Sequence, residues 1–307
     1  RTMGPLDDLK MQWRMGGMLM RLILINVAVF VGLVLVYLVL LPLGGSGAGA
    51  QALRDLYVVQ WLRSTADLGT LATRPWTLFT YMFTHTGLGH IFWNMILLWF
   101  GGRLFQDLLG GKRLLGHYLL GGLTGVVLFI VVQNLMPGFH GGGAAPGILG
   151  ASAGALSVFI GIAAYRPDMI VNLILIGPVK LMYVAGVFLL LDLIGIGSGD
   201  GVAHEAHIGG ALYGFVAARQ LTKGNDWSLR FVEFWETLFR AFTSKKKSKL
   251  RVEKPYVKST VERERKVDAE QQNKQARVDA ILDKISKSGY DSLTKVEKDF
   301  LFKAGSS

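Results

Sequence analysis

The stretch "GILGASAGALSVFIG", Gly147 to Gly161, decides how this chain is read. It is apolar enough to sit in a bilayer, yet it carries a hydroxyl, Ser152, near its start among small residues. A serine on a membrane helix ordinarily bonds the carbonyl four residues back in its own helix, the reading that suits Ser157. Ser152 departs from that only if other parts of the chain bring it a base and an oxyanion site.

Working outward, the 307 residues are 51% hydrophobic and 18% charged, and the apolar residues come in blocks. Crossing hydrocarbon as a helix takes ~20 apolar residues. Six blocks approach that length: Leu22–Leu41, Gly89–Leu109, Leu114–Leu135, Ile148–Tyr165, Val179–Ile196 and Ala203–Leu221. None alternates as barrel strands do, so lipid leaves the helix as the way to satisfy the backbone. The expected fold class is an all-α polytopic membrane protein, a six-helix bundle with a small helical cytoplasmic tail. Residues 1–222 form the membrane domain and 223–250 a juxtamembrane segment. There "WSLRFVEFWETLFRAF" is amphipathic and aromatic, as a helix on the inner leaflet would be. Residues 251–307 form the tail. It ends in two short helices around Gly289, the second opened by a Thr294/Glu297 capping box.

Net charge is +11, with the basic residues mostly outside the blocks and after Arg219. That suits an anionic bilayer face, not a nucleic-acid groove. Arg103, Lys112, Arg113, Arg166, Lys180 and "SKKKSK" fall on one set of loops, whereas "MPGFHGGGAAPG" and "GIGSGDG" carry no lysine or arginine. By the positive-inside rule both termini are cytoplasmic, in a multi-pass cell (inner) membrane. The first block is too long for a signal h-region and reads as an anchor. Without cysteine there are neither disulfides nor thiolate metal sites.

This orientation puts polar side chains of three helices at one depth. Blocks two, four and six all enter from the outer face, and carry His90 with Asn94, Ser152, and His207 respectively. A serine hydroxyl needs a base, which imidazole supplies near neutral pH. The developing oxyanion needs donors, which an asparagine amide and the serine's own N–H supply. His90 and Asn94, four apart, share a helical face. His207, Gly210 and Gly214 share a stripe whose glycines admit a neighbouring backbone.

These residues resemble the signatures of the rhomboid intramembrane serine proteases: "GASAG", "AHIGGALYG", and the His-x-x-x-Asn of "HIFWN", in order along the six blocks. The resemblance implies Ser152 as nucleophile, His207 as general base, and His90 and Asn94 as the oxyanion-stabilising pair. His85 is then a structural histidine, and Gly150, Gly154, Gly210 and Gly214 are structural glycines near the site. It implies a Ser–His dyad that cleaves single-span membrane proteins near the outer face, with no cofactor. Three departures accompany it: Ala153 follows the nucleophile, Leu156 stands where many relatives carry an aromatic, and the first loop reads "RPWT". Two other classes compete. A silent, client-binding relative typically lacks one dyad residue, and a transporter wants inverted repeats and broken helices that the sequence does not display.

The remaining polar residues receive plainer readings. His204 is a loop-edge residue facing water, Gln133, Asn134 and His140 are surface residues, and His117 is interfacial. "HEAH" is one residue short of the His-Glu-x-x-His zinc pattern, so no metal is expected. Asp192 lies where it can reach water near the outer end of block five, and takes no assigned role.

Overall fold

Every apolar block folds as a helix, and glycines or short strand pairings stand at several of the helix ends. The computed structural model describes residues 11, 13, 16–136, 147–174, 176–198, 201–243 and 258–305. In chain order the helices are α1 (Gly17–Gly44), α2 (Gly47–Tyr57), α3 (Leu68–Thr73), α4 (Thr77–Thr80), α5 (Leu88–Leu109) and α6 (Gly111–Leu135). They continue as α7 (Ser152–Tyr165), α8 (Leu181–Gly195), α9 (His204–Thr222), α10 (Trp227–Thr243), α11 (Lys258–Ser288) and α12 (Lys295–Gly305). The chain divides into two compact units, residues 1–243 and 244–307.

Helices α1 and α6 are long and apolar enough to cross a membrane, whereas α7 and α8 are apolar but shorter. At ~1.5 Å per residue, fourteen-residue α7 spans about 21 Å. It begins four residues later than block four suggested, because Gly147–Ile148 (β2) pairs antiparallel with Ser64–Thr65 (β1) of the first loop. The turn after α7 likewise resolves into a hairpin, Ile170–Leu173 (β3) with Gly177–Lys180 (β4).

Small residues bring α6, α7 and α9 together. A Cβ on Gly125 of α6 would lie 2.7 Å from both the Ala153 Cβ and the Ala206 carbonyl oxygen. One on Gly210 of α9 would lie 2.8 Å from the carbonyl carbon of Ala153, and one on Gly214 would lie 2.9 Å from that of Ser157. Backbone meets backbone here, as small residues permit in membranes. The result is that Ala153 through Ala163 of α7 are all buried. By contrast α1 buries four residues and α8 three, and Leu35, Val39, Leu190 and Ile194 are more than half exposed, as an outer apolar belt requires.

Several plain readings are corrected. Ser157 Oγ donates across to the His117 carbonyl of α6 at 3.0 Å rather than to its own helix. His117 is buried, not interfacial, with Nδ1 2.7 Å from Ser228 Oγ, which is 2.9 Å from the Tyr213 hydroxyl. That chain, with the Arg113–Asp226 pair at 2.5 Å and Lys112–Glu236 at 2.7 Å, ties α10 to the bundle. Phe234 and Phe242 of α10 stay exposed on its apolar side. In the second unit α11 runs 31 residues, longer than the short helix expected. Gly289 turns the chain with φ +77°, as the sequence suggested. The capping box forms: Thr294 N–H donates to Glu297 Oε2 at 2.8 Å, and Glu297 N–H to Thr294 Oγ1 at 3.4 Å. His140 and the "SKKKSK" run lie outside the described residues.

Candidate active site

The site is built where an extended segment becomes a helix. Gly150 has φ +122°, a conformation open to glycine, and its N–H donates to the Tyr81 carbonyl at 2.9 Å. The same position requires glycine for space, since a Cβ would sit 2.6 Å from His90 Nε2. Next, the Ala151 N–H donates to His85 Nε2 at 3.2 Å. His85 is fully buried and packs edge-on to His90, ring centres 5.0 Å apart. So His85 holds the backbone immediately before Ser152.

Ser152 is the first residue of α7, not a residue one turn inside a longer helix. Three residues, Leu149 to Ala151, join β2 to this helix start. No side chain caps this helix start, so its first N–H groups carry the partial positive charge of a helix N-terminus. An oxyanion developing on a bound acyl group beside the Ser152 N–H would meet that charge.

Ser152, His207, His90 and Asn94 line one cavity of about 840 Å³, walled by α5, α7, α8 and α9. His207 lies one turn inside α9. Asn94 is buried and its Nδ2 donates to the His90 carbonyl at 2.9 Å, which leaves the second N–H of that amide for another acceptor. His90 is more exposed, on the cavity wall. Leu156, at the position where the resemblance called for an aromatic, also lines the cavity. Gly154 lets α7 approach α6: a Cβ there would lie 2.7 Å from the Tyr118 carbonyl oxygen. In the first loop, Arg74 of "RPWT" stacks 3.9 Å over the Trp61 ring, and Trp76 Nε1 donates to the Trp61 carbonyl at 2.9 Å.

The residue that sequence reasoning passed over is Asp192. It is 8% exposed, one of three buried residues on α8, and does not face open water. Its Oδ1 is 2.7 Å from His207 Nδ1 and 2.8 Å from His204 Nδ1. His204, read as a loop-edge residue, is the half-buried first residue of α9 with its ring against Gly195. The signal existed, since a lone carboxylate inside an apolar run is a functional candidate. Its outward position in the run concealed the contact. Asp192, His204 and His207 also form the described group able to hold a metal, their ligand atoms lying within 4.8 Å of one another.

The comparisons with known proteins agree with this architecture. Residues 72–223 match the rhomboid domain family model, which spans every residue named above for the cavity. The chain is a rhomboid family protein. Within that family it is similar to RHOMBOID-like protein 12, mitochondrial, of Arabidopsis thaliana, at 33% identity over 48% of this chain and 47% of the relative. It is also similar to rhomboid protease GluP of Bacillus subtilis (strain 168), at 27% identity over 48% of this chain and 26% of the relative. The matches thus cover less than half of each relative's length. Residues 260–303, outside the rhomboid domain, match a family of unknown function, DUF6576. Rhomboid membership makes the chain a membrane protein.

Proposed function

We propose that the chain is an intramembrane serine endopeptidase that cleaves single-span membrane proteins near the outer face. The observation that carries this is the shared cavity: Ser152 at the start of a helix, His207 from another, and His90 and Asn94 beside them. Both dyad residues are present in that cavity, which favours an enzyme over a silent client-binding rhomboid. The similarity to a relative named rhomboid protease points the same way.

The chemistry is acyl transfer in two steps. Ser152 Oγ attacks the scissile carbonyl while the His207 imidazole takes the hydroxyl proton. The carbonyl oxygen becomes an oxyanion, met by the Ser152 N–H, the free N–H of Asn94 and the His90 ring. The imidazolium then protonates the leaving amine, and an acyl-serine remains. Water, deprotonated by the same imidazole, releases the new carboxylate and returns the serine. A membrane helix hides its carbonyls in its own hydrogen bonds, so the substrate must open locally. Glycine or proline there lowers that cost by ~1–3 kcal/mol.

In this reading α1, α5, α6, α7, α8 and α9 are six spans of a multi-pass inner-membrane protein with both termini cytoplasmic. The short α7 and α8 reach across because extended segments and the β3–β4 hairpin complete the path at their ends. The test is labelling by a serine-directed fluorophosphonate in detergent, with Ser152→Ala as control, beside cleavage of a single-span substrate. Labelling and cleavage that vanish together in Ser152→Ala are expected. Cleavage that survives Ser152→Ala refutes the proposal.

A further inference from the structure

We infer that Asp192 is a positioning residue for His207, so that the site works as Ser–His–Asp rather than as a bare dyad. This rests on the serine-protease reading above and extends it to a residue that the resemblance leaves without a role. The geometry carries it. Asp192 Oδ1 sits 2.7 Å from Nδ1 of His207, and the carboxylate is buried at the wall of the cavity that Ser152 lines.

The consequence is chemical. A neutral imidazole has one N–H, and a carboxylate beside Nδ1 keeps it there, because the carboxylate can accept and cannot donate. Nε2 is then the basic nitrogen, free to take the serine proton. After transfer both nitrogens carry protons, and the same carboxylate stabilises the cation. Without it the ring can adopt the other tautomer, whose Nε2–H cannot accept from a hydroxyl.

Two features show that the contact is built rather than incidental. His204, one turn ahead of His207, places its own Nδ1 2.8 Å from the same Oδ1, so the carboxylate is held from two sides. And α8 turns most of its surface outward, burying Leu181, Ala185 and Asp192. The polar member of that trio is the one that meets the base. Orientation of His207 therefore depends on where α8 lies, and a displaced α8 would leave the base without its partner.

The test uses the full chain in detergent. Asp192→Asn keeps the size but can donate from its amide to Nδ1, favouring the unproductive tautomer, whereas Asp192→Ala removes the partner. Both should lower kcat by about 10²- to 10⁴-fold, with KM for a single-span substrate changed less than about threefold, the pattern of lost transition-state support. The ¹⁵N spectrum of histidine-labelled protein reads the cause directly, with His207 assigned by its loss in His207→Gln. Wild type should show a protonated Nδ1 and a bare Nε2, and Asp192→Asn should shift toward the reverse. If the Asn variant fails to fold, the wild-type spectrum still decides: a bare Nδ1 overturns the inference. Wild type that labels and cleaves while Asp192→Asn does so within threefold also overturns it, and leaves the protease reading intact. Wild type whose Ser152 neither labels nor cleaves removes both. Loss of wild-type cleavage on chelation, restored by Zn²⁺, would make Asp192, His204 and His207 metal ligands and overturn the orienting role.

Discussion

Replacing Gly210 by alanine tests whether helix packing sets the catalytic geometry. The new Cβ would stand 2.8 Å from the carbonyl carbon and 3.0 Å from the Cα of Ala153, and closer still to its oxygen. Ordinary contact begins near 3.4 Å, and the obstacle is the Ala153 main chain, which cannot rotate away. The pair α7–α9 must therefore part by at least about 0.6 Å on the carbon contacts, and by more than about 1 Å once the oxygen is cleared. Ser152 adjoins Ala153 on one helix and His207 lies three residues before Gly210 on the other, so the displacement falls on the Ser–His pair. A misplacement of 1 Å costs about 10²-fold in rate, and overpacking costs ~1–3 kcal/mol of stability. Cleavage of a single-span substrate in detergent, with fluorophosphonate labelling rates and melting curves alongside, should show both losses. Gly32→Ala on α1 is the control, because among the described residues nothing lies within 4 Å of a Cβ there. Gly210→Ala activity within threefold of wild type, in folded protein, would refute the claim that this glycine holds the base to the nucleophile.

Ser152→Ala and His207→Ala should each abolish nearly all turnover, and the double variant should be little worse, because the two act as a unit. Independent, multiplying losses would contradict that. Asn94→Ala should retain a measurable residue, down about 10²- to 10³-fold, since the Ser152 N–H remains. Full activity would remove Asn94 from the oxyanion site. Gly150→Ala should be impaired through both its φ of +122° and the His90 ring, and His90→Ala in the same chain should relieve the steric part of any instability while leaving the backbone part, read by melting. In the tail, the Thr294 N–H, then Lys284 and the Thr294 hydroxyl, hold the Glu297 carboxyl down from 4.5 to about 2. A depressed carboxyl stabilises the folded form above its unfolded value and loses that contribution as pH falls toward the folded one. Glu297→Gln should therefore speed amide exchange in the first turn of α12 at pH 6, and do so far less at pH 2. Equal exchange at both pH values would show that the capping box does not support the helix.

Much of this was legible in the sequence because the determinants are local or periodic. Apolar blocks announced the helices, since lipid leaves the backbone few alternatives. The spacing of His90 with Asn94, and of His207 with Gly210 and Gly214, announced shared faces. Thr294 and Glu297 announced a cap that forms as read. What only tertiary structure decided involves partners far apart along the chain, or ends set by them. The β1–β2 pairing fixes Ser152 as the first residue of α7, joining segments whose 83-residue separation no periodicity encodes. His117 and Ser228 become a buried pair across 111 residues, although each alone resembles an interfacial polar group. Asp192 is the sharpest case. From the sequence it was a carboxylate near water, because position along a helix gives depth but not azimuth. The packing of α8 against α9 turned it inward, onto the Nδ1 atoms of His204 and His207.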